Sequence, residues 1–168
     1  MLFRSSPRTG VISDALYKFI EDFSDNKKTK YKCIEDFLKN NYPDIKSLKS
    51  GGAIIDYSKD IIDESINAVK KLNSSFLLIQ GPPGAGKTYT SAKIILSLIK
   101  DKKKVGINSN SHKAINNLLL KIEELAAEEN FKFEGFKKSS KEVDKFNGKN
   151  IRESRIELVT KNCLIYAG

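Results

Sequence analysis

Histidine and cysteine are nearly absent from this sequence: its 168 residues hold one of the first and two of the second. A single histidine excludes a zinc cluster built from imidazoles within the chain. Cys33 and Cys163 stand too far apart to match a metal or redox spacing, so both thiols are expected reduced and partly buried in a cytoplasmic protein. No apolar run approaches the length of about 20 residues that spans a bilayer, and no signal-peptide pattern is present, so no membrane partner is expected. Arginine is confined to Arg4, Arg8, Arg152 and Arg155, and glutamine to Gln80. After Lys87 no apolar run ends in Asp-Glu.

Lysine is what the chain has in excess. The net charge is +9 and the pI about 9.4. A basic balance of this size suits a polyanionic partner such as nucleic acid. The abundance of Lys over Arg, with much Asn and Ile, equally fits the composition of an AT-rich genome, and charge alone leaves both readings open. An apolar fraction of 39% is enough for a core, and the length suits one domain or one domain with a small appendage.

The stretch Ile79-Gln80-Gly81-Pro82-Pro83-Gly84-Ala85-Gly86-Lys87-Thr88-Tyr89-Thr90 satisfies G-x-x-x-x-G-K-[ST] in full. Glycines let the backbone curl until successive N–H groups point at a β-phosphate. Lys87 is spaced to reach the β and γ oxygens, and Thr88 offers a hydroxyl to Mg²⁺. A helix opening at the loop adds its positive end. The candidate nucleotide contacts are therefore Gly81, Pro82, Pro83, Gly84, Ala85, Gly86, Lys87, Thr88 and Tyr89, with Lys87 and Thr88 as the catalytic candidates and ATP and Mg²⁺ as the ligands.

The context matches. Phe76–Ile79 is a short apolar run that reads as a buried parallel strand, and Lys87–Lys100 has the apolar spacing of a helix lying on a sheet. Val105–Asn108 reads as a second strand, followed by a helix over His112–Glu128 capped by Ser111. Upstream, Val11–Phe23 and Tyr31–Lys39 predict a helical hairpin whose apolar faces serve as packing surface, and Lys46–Gly52 reads as a linker before a helix over Ser58–Leu72. Downstream, Phe131–Phe136 alternates like a half-exposed strand and Lys137–Lys149 reads as a mobile surface loop. Ile156–Val159 and Cys163–Ala167 are short apolar segments. The expected fold is α/β: an incomplete P-loop NTPase (RecA-like) domain over residues 53–168, with a parallel sheet and flanking helices, after an N-terminal helical region and linker over 1–52.

The phosphate loop together with the block Val105–Leu119, VGINSNSHKAINNLL, resembles the first RecA-like domain of superfamily 1 helicases of the Upf1-like type, and more narrowly the helicase part of bacterial proteins in which a RecB-like nuclease region precedes it. The resemblance is strong over about residues 60–120. It implies that Ser111, His112 and Lys113 touch the backbone of single-stranded DNA or RNA, although His112 stands where the family has asparagine. A serine and free N–H groups at a helix start, with a lysine beside them, suit a phosphate; the same serine also suits a plain N-cap.

Two departures matter. The family's adenine-reading glutamine is missing upstream of the loop, where Glu64, Ser65 and Asn67 stand instead. The Walker B acid pair, which holds Mg²⁺ and polarises the attacking water, is not found, since Glu123-Glu124 falls mid-helix. In this family the finger arginine comes from a second RecA-like domain. The chain is therefore expected to be an amino-terminal helicase fragment that binds ATP and needs further helicase domains to turn it over. The alternatives are another P-loop NTPase, such as an AAA+ module or small kinase, and an adaptor that binds nucleotide or nucleic acid without turnover.

Overall fold

The apolar spacing of Lys87–Lys100 and His112–Glu128 yields two helices with well-buried faces. A computed structural model describes residues 7–25, 30–139, 145–153 and 163–168. Its helices are α1 (Pro7–Asp25), α2 (Lys32–Leu38), α3 (Ile61–Lys70), α4 (Lys87–Lys100) and α5 (His112–Glu128), and its strands are β1 (Val105–Ile107), β2 (Gly135–Lys137), β3 (Ile151–Glu153) and β4 (Ile165–Ala167). They fall into two compact units, residues 1–52 with 71–77 and residues 53–70 with 78–168.

The second unit holds a four-stranded, wholly parallel sheet in the order β1-β4-β2-β3. A parallel sheet must be covered by helices to be stable. Here α4 contributes Ala92, Ile95, Leu96 and Ile99 to the core, and α5 contributes Ile115, Leu119, Ile122 and Leu125. Ile151 of β3 and Ile165 of β4, both fully buried, meet them from the sheet. Each such Leu or Ile stabilises the fold by about 1.5–3 kcal/mol. Gly135 is required where the strands crowd: a Cβ there would lie 3.0 Å from Ile151 Cγ1 and 3.1 Å from Ile165 Cβ. Helix α3 is capped by Asp60, whose carboxylate accepts from the N–H groups of Ile62 at 2.8 Å and Asp63 at 2.9 Å. This is the α/β P-loop architecture expected from the sequence.

In the first unit, α1 and α2 form the expected helices. The Phe19 ring lies 6.0 Å from Tyr31 and 6.2 Å from Phe23. The expectation that the apolar faces serve as packing surface fails for much of α1: Ile12, Leu16, Ile20 and Phe23 are all exposed. Ile45 is buried and bridges Leu72 in antiparallel fashion, with Lys46 N–H donating to the Lys71 carbonyl and Asn73 N–H to that of Asp44, both at 2.9 Å.

That bridge explains the main correction. Phe76–Ile79 forms no strand. Residues 71–76 are tied to the first unit by the Leu72 bridge, the bond from Asp44 N–H to Ser75 Oγ at 2.9 Å, and the edge-on contact of Phe76 with Phe37 at 5.4 Å. No described strand pairs with Leu78 or Ile79, and both side chains are exposed. The tail of the chain also differs from expectation. Strand β2 starts at Gly135, and Phe131 and Phe133 stack on each other at 6.1 Å against the core instead. Residues Lys137, Ser139 and Phe146 are buried, so these parts of Lys137–Lys149 are no surface loop. Strand β3 was not foreseen, while Ile156–Val159 lies outside the described residues. Cys163 is buried and its Sγ donates to the Ile165 carbonyl at 3.1 Å, whereas Cys33 is exposed rather than partly buried.

Candidate nucleotide-binding site

The phosphate loop owes its shape to its glycines. Gly84 and Gly86 sit at φ +81° and +78°, the left-handed region that a side chain disfavours. Ala85 N–H donates to the Pro82 carbonyl at 3.2 Å, closing a tight turn. Gly86 then serves as N-cap of α4 and, having no side chain, leaves the first N–H groups of that helix without a side-chain acceptor. No acidic residue lies in the first turn of α4 or of α5, whereas α3 carries Asp63 and Glu64 in that place. The α4 start therefore has neither a side-chain cap nor an acidic residue in its first turn, whereas α5 has a cap from Ser111 but no acidic residue.

The Lys87 ammonium is folded back into the loop, donating to the carbonyls of Gly81 at 2.5 Å and Pro82 at 2.6 Å. The Thr88 side chain is exposed beside it, and Tyr89 is exposed, with the Lys93 ammonium 5.8 Å above its ring.

A cavity of about 210 Å³ opens next to Thr88. One wall comes from Lys87, Thr88 and Ser91 of α4, and the other from Ile107, Asn108 and Ser109 at the carboxyl end of β1. Ala114, Ile115 and Leu118 of α5 close it, and among the described residues no carboxylate lines it. Asn108, Ser109 and Ser91 were not singled out from the sequence. The available signal was their place just after a parallel strand, where α/β folds hold ligands.

Ser111, His112 and Lys113 do not line this cavity. Ser111 is the N-cap of α5: its Oγ accepts from Ala114 N–H at 3.4 Å, and its own N–H donates to Ser109 Oγ at 3.3 Å. His112 is half-buried and Lys113 exposed. At the positions that replace the adenine-reading glutamine, Ser65 is buried and donates to the Ile61 carbonyl at 2.7 Å, and Glu64 accepts from Asp56 N–H at 3.2 Å.

Glu123, considered from sequence as an acid partner for Mg²⁺, lies elsewhere. Its carboxylate accepts from the N–H groups of Asn150 and Ile151 at 2.8 and 2.9 Å and from the Asn150 amide at 2.7 Å. It anchors the turn into β3. Among the described residues no cluster of three or more His, Cys, Asp or Glu could hold a metal. The donors at the cavity fit Mg²⁺, which keeps several waters and takes few direct protein ligands, and Thr88 supplies one hydroxyl.

The family described as AAA domain (AAA_11) matches residues 56–154. The DNA replication ATP-dependent helicase/nuclease dna2 of Schizosaccharomyces pombe is 39% identical over 74 residues, covering 42% of this chain and 5% of its own length. The ATP-dependent helicase NAM7 of Saccharomyces cerevisiae is 34% identical over 122 residues, covering 59% of this chain and 13% of its own length. The DNA replication ATP-dependent helicase/nuclease DNA2 of the same yeast is 38% identical over 64 residues, covering 38% and 4%. The chain thus spans only a small part of the curated relatives it matches. No solved structure gives a significant match. Among the described residues no helix is long and apolar enough to cross a membrane.

Proposed function

The chain belongs to the AAA_11 family of AAA domains, a helicase-type P-loop domain of the superfamily 1, Upf1-like kind, and we propose that it binds Mg²⁺–ATP or Mg²⁺–ADP at Gly81–Thr88 as the first part of a helicase core. The observation that carries the reading is the loop itself. Two left-handed glycines lead into an uncapped helix start, and the Lys87 ammonium folds back onto the loop carbonyls. Lys87 exchanges its two carbonyl partners for β and γ oxygens, the backbone N–H groups of the loop receive the β-phosphate, and Thr88 holds one side of Mg²⁺. Tyr89 is exposed at the next position and is available to a bound nucleotide.

Single-stranded DNA or RNA is the proposed partner, met at Ser111, His112 and Lys113 beside the start of α5. Because Ser111 Oγ already accepts a cap bond, its contribution is the hydroxyl proton, and Lys113 supplies the charge. The remaining helicase domains are proposed as partners for hydrolysis and unwinding. A nuclease region joined to such a core is part of the proposal, in keeping with relatives whose names join helicase and nuclease. Residues 1–52 are proposed as a separate helical region before the P-loop domain, and the cytoplasm as the location. One second reading is a domain that holds nucleotide without turning it over, since among the described residues no carboxylate lines the cavity.

The test is equilibrium binding of a fluorescent ATP analogue with Mg²⁺. Saturable binding that is competed by ADP and weakened in Gly86→Val supports the proposal; unsaturable binding, or binding indifferent to that substitution, refutes it.

A further inference from the structure

We propose that Asn108 and Ser109 form the second wall of the phosphate site and, with Ser91 on the α4 wall, hold the water shell of the nucleotide's divalent ion. This rests on the nucleotide-binding reading above and adds residues that neither the loop motif nor the nucleic-acid segment contains.

The cavity beside Thr88 measures about 210 Å³. That is below the roughly 300–1,000 Å³ of sites enclosing a whole organic ligand. It is ample for a phosphate group and several waters, each with a share of about 30 Å³. The occupant is therefore one end of a ligand whose remainder lies outside. Thr88 and Lys87, which line that space at the start of α4, fix which end.

The opposite wall is chemically matched to a hydrated ion. Asn108 brings an amide and Ser109 a hydroxyl, and Ser91 adds a second hydroxyl from the α4 wall; these groups give and accept hydrogen bonds without carrying charge. Mg²⁺ dehydrates reluctantly, so neutral groups that bind its waters suit it better than a tight cage would. Ser109 Oγ already accepts from Ser111 N–H at 3.3 Å, which leaves its proton to donate. Asn108 and Ser109 also follow β1 directly, at the carboxyl edge of the parallel sheet.

The experiment measures ATP and ADP affinity in Mg²⁺ and in EDTA for wild type, the double variant Asn108→Ala/Ser109→Ala, and Ser109→Thr, which keeps the hydroxyl. Two lost hydrogen bonds predict ATP affinity in Mg²⁺ about five- to thirtyfold weaker in the double variant. ADP is expected to change less, EDTA values to equal wild type, and Ser109→Thr to bind as wild type. An unchanged Mg²⁺ gain in the double variant overturns the inference while leaving the nucleotide site standing. Equal losses in Mg²⁺ and EDTA also overturn it, since they mark a structural role. Wild type that binds neither nucleotide overturns both readings.

Discussion

The Glu123 carboxylate accepts both the backbone N–H of Asn150, at 2.8 Å, and its side-chain amide, at 2.7 Å. Asn150 in turn accepts from Phe133 N–H through its Oδ1 at 3.2 Å and from Gly135 N–H through its carbonyl at 3.0 Å. One acid on α5 thereby sets where β2 and β3 begin. Glu123→Ala leaves three donors without their acceptor and is expected to cost about 2–4 kcal/mol. A Cβ at Gly148 would overlap the same carboxylate, so Gly148→Ala should destabilise the wild type more than it destabilises Glu123→Ala. Urea unfolding of the two singles and the double checks this; additive costs would contradict it.

Glu129 closes α5 and pairs with Lys100 and, at 3.5 Å, Lys93, both on α4. The hydrogen bond from Lys100 holds its carboxyl below the usual range, and Lys93 adds to that. The folded-state value lies below the unfolded one. The stabilisation is therefore full above the unfolded value of about 4.3 and is lost as pH falls through the folded one. The groups are partly exposed, so the expected size is below about 1 kcal/mol. Glu129→Gln should be less stable than wild type at neutral pH and equal to it in strong acid. A difference that persists at low pH would assign the effect to packing instead.

Nucleic-acid binding by this chain alone is expected to be weak, with a salt slope of about −0.7 for each phosphate neutralised on a single strand. Lys113, Lys138 and Lys149 are exposed, whereas Lys137 is buried and adds nothing to the surface field. Filter binding at several salt concentrations should show charge reversal at Lys113 removing about one contact from the slope. An unchanged slope would move the contact elsewhere.

ATP turnover by this chain is expected near background. Among the described residues no carboxylate lines the cavity beside Thr88, and Glu123 is committed to Asn150. In related NTPases a finger arginine alone is worth on the order of 10³–10⁵ in rate. A phosphate-release assay checks this; nucleic-acid-stimulated turnover that disappears in Lys87→Ala would mean that an acid in this chain performs the Walker B role.

Local pattern carried the reading furthest where one element decides its own form. The bounds of α4 and α5 follow from the 3.6-residue spacing of Ile95, Leu96 and Ile99 and of Ile115, Leu119 and Ile122, and from the Ser111 cap. The loop was legible because Gly84 and Gly86 must take conformations that few residues tolerate. Strands were harder, since a three-residue strand exists only through its neighbours. Phe76–Ile79 has the composition of a strand, yet Leu72, Ser75 and Phe76 take partners in the first unit. Ile151–Glu153 has no periodicity of its own and is placed by Glu123, a bond spanning 28 residues. The second wall of the cavity was hidden for the same reason: Asn108 and Ser109 gain meaning only once β1 carries them to Thr88.

The central claim is that Lys87 leaves the Gly81 and Pro82 carbonyls to hold a nucleotide's phosphates. The most direct measurement is the melting transition of wild type and Lys87→Ala with and without Mg²⁺–ADP. At a hundred times its dissociation constant the ligand should stabilise the wild type by about 2.7 kcal/mol and leave the variant unmoved. No shift in the wild type, or the same shift in both, would contradict the account.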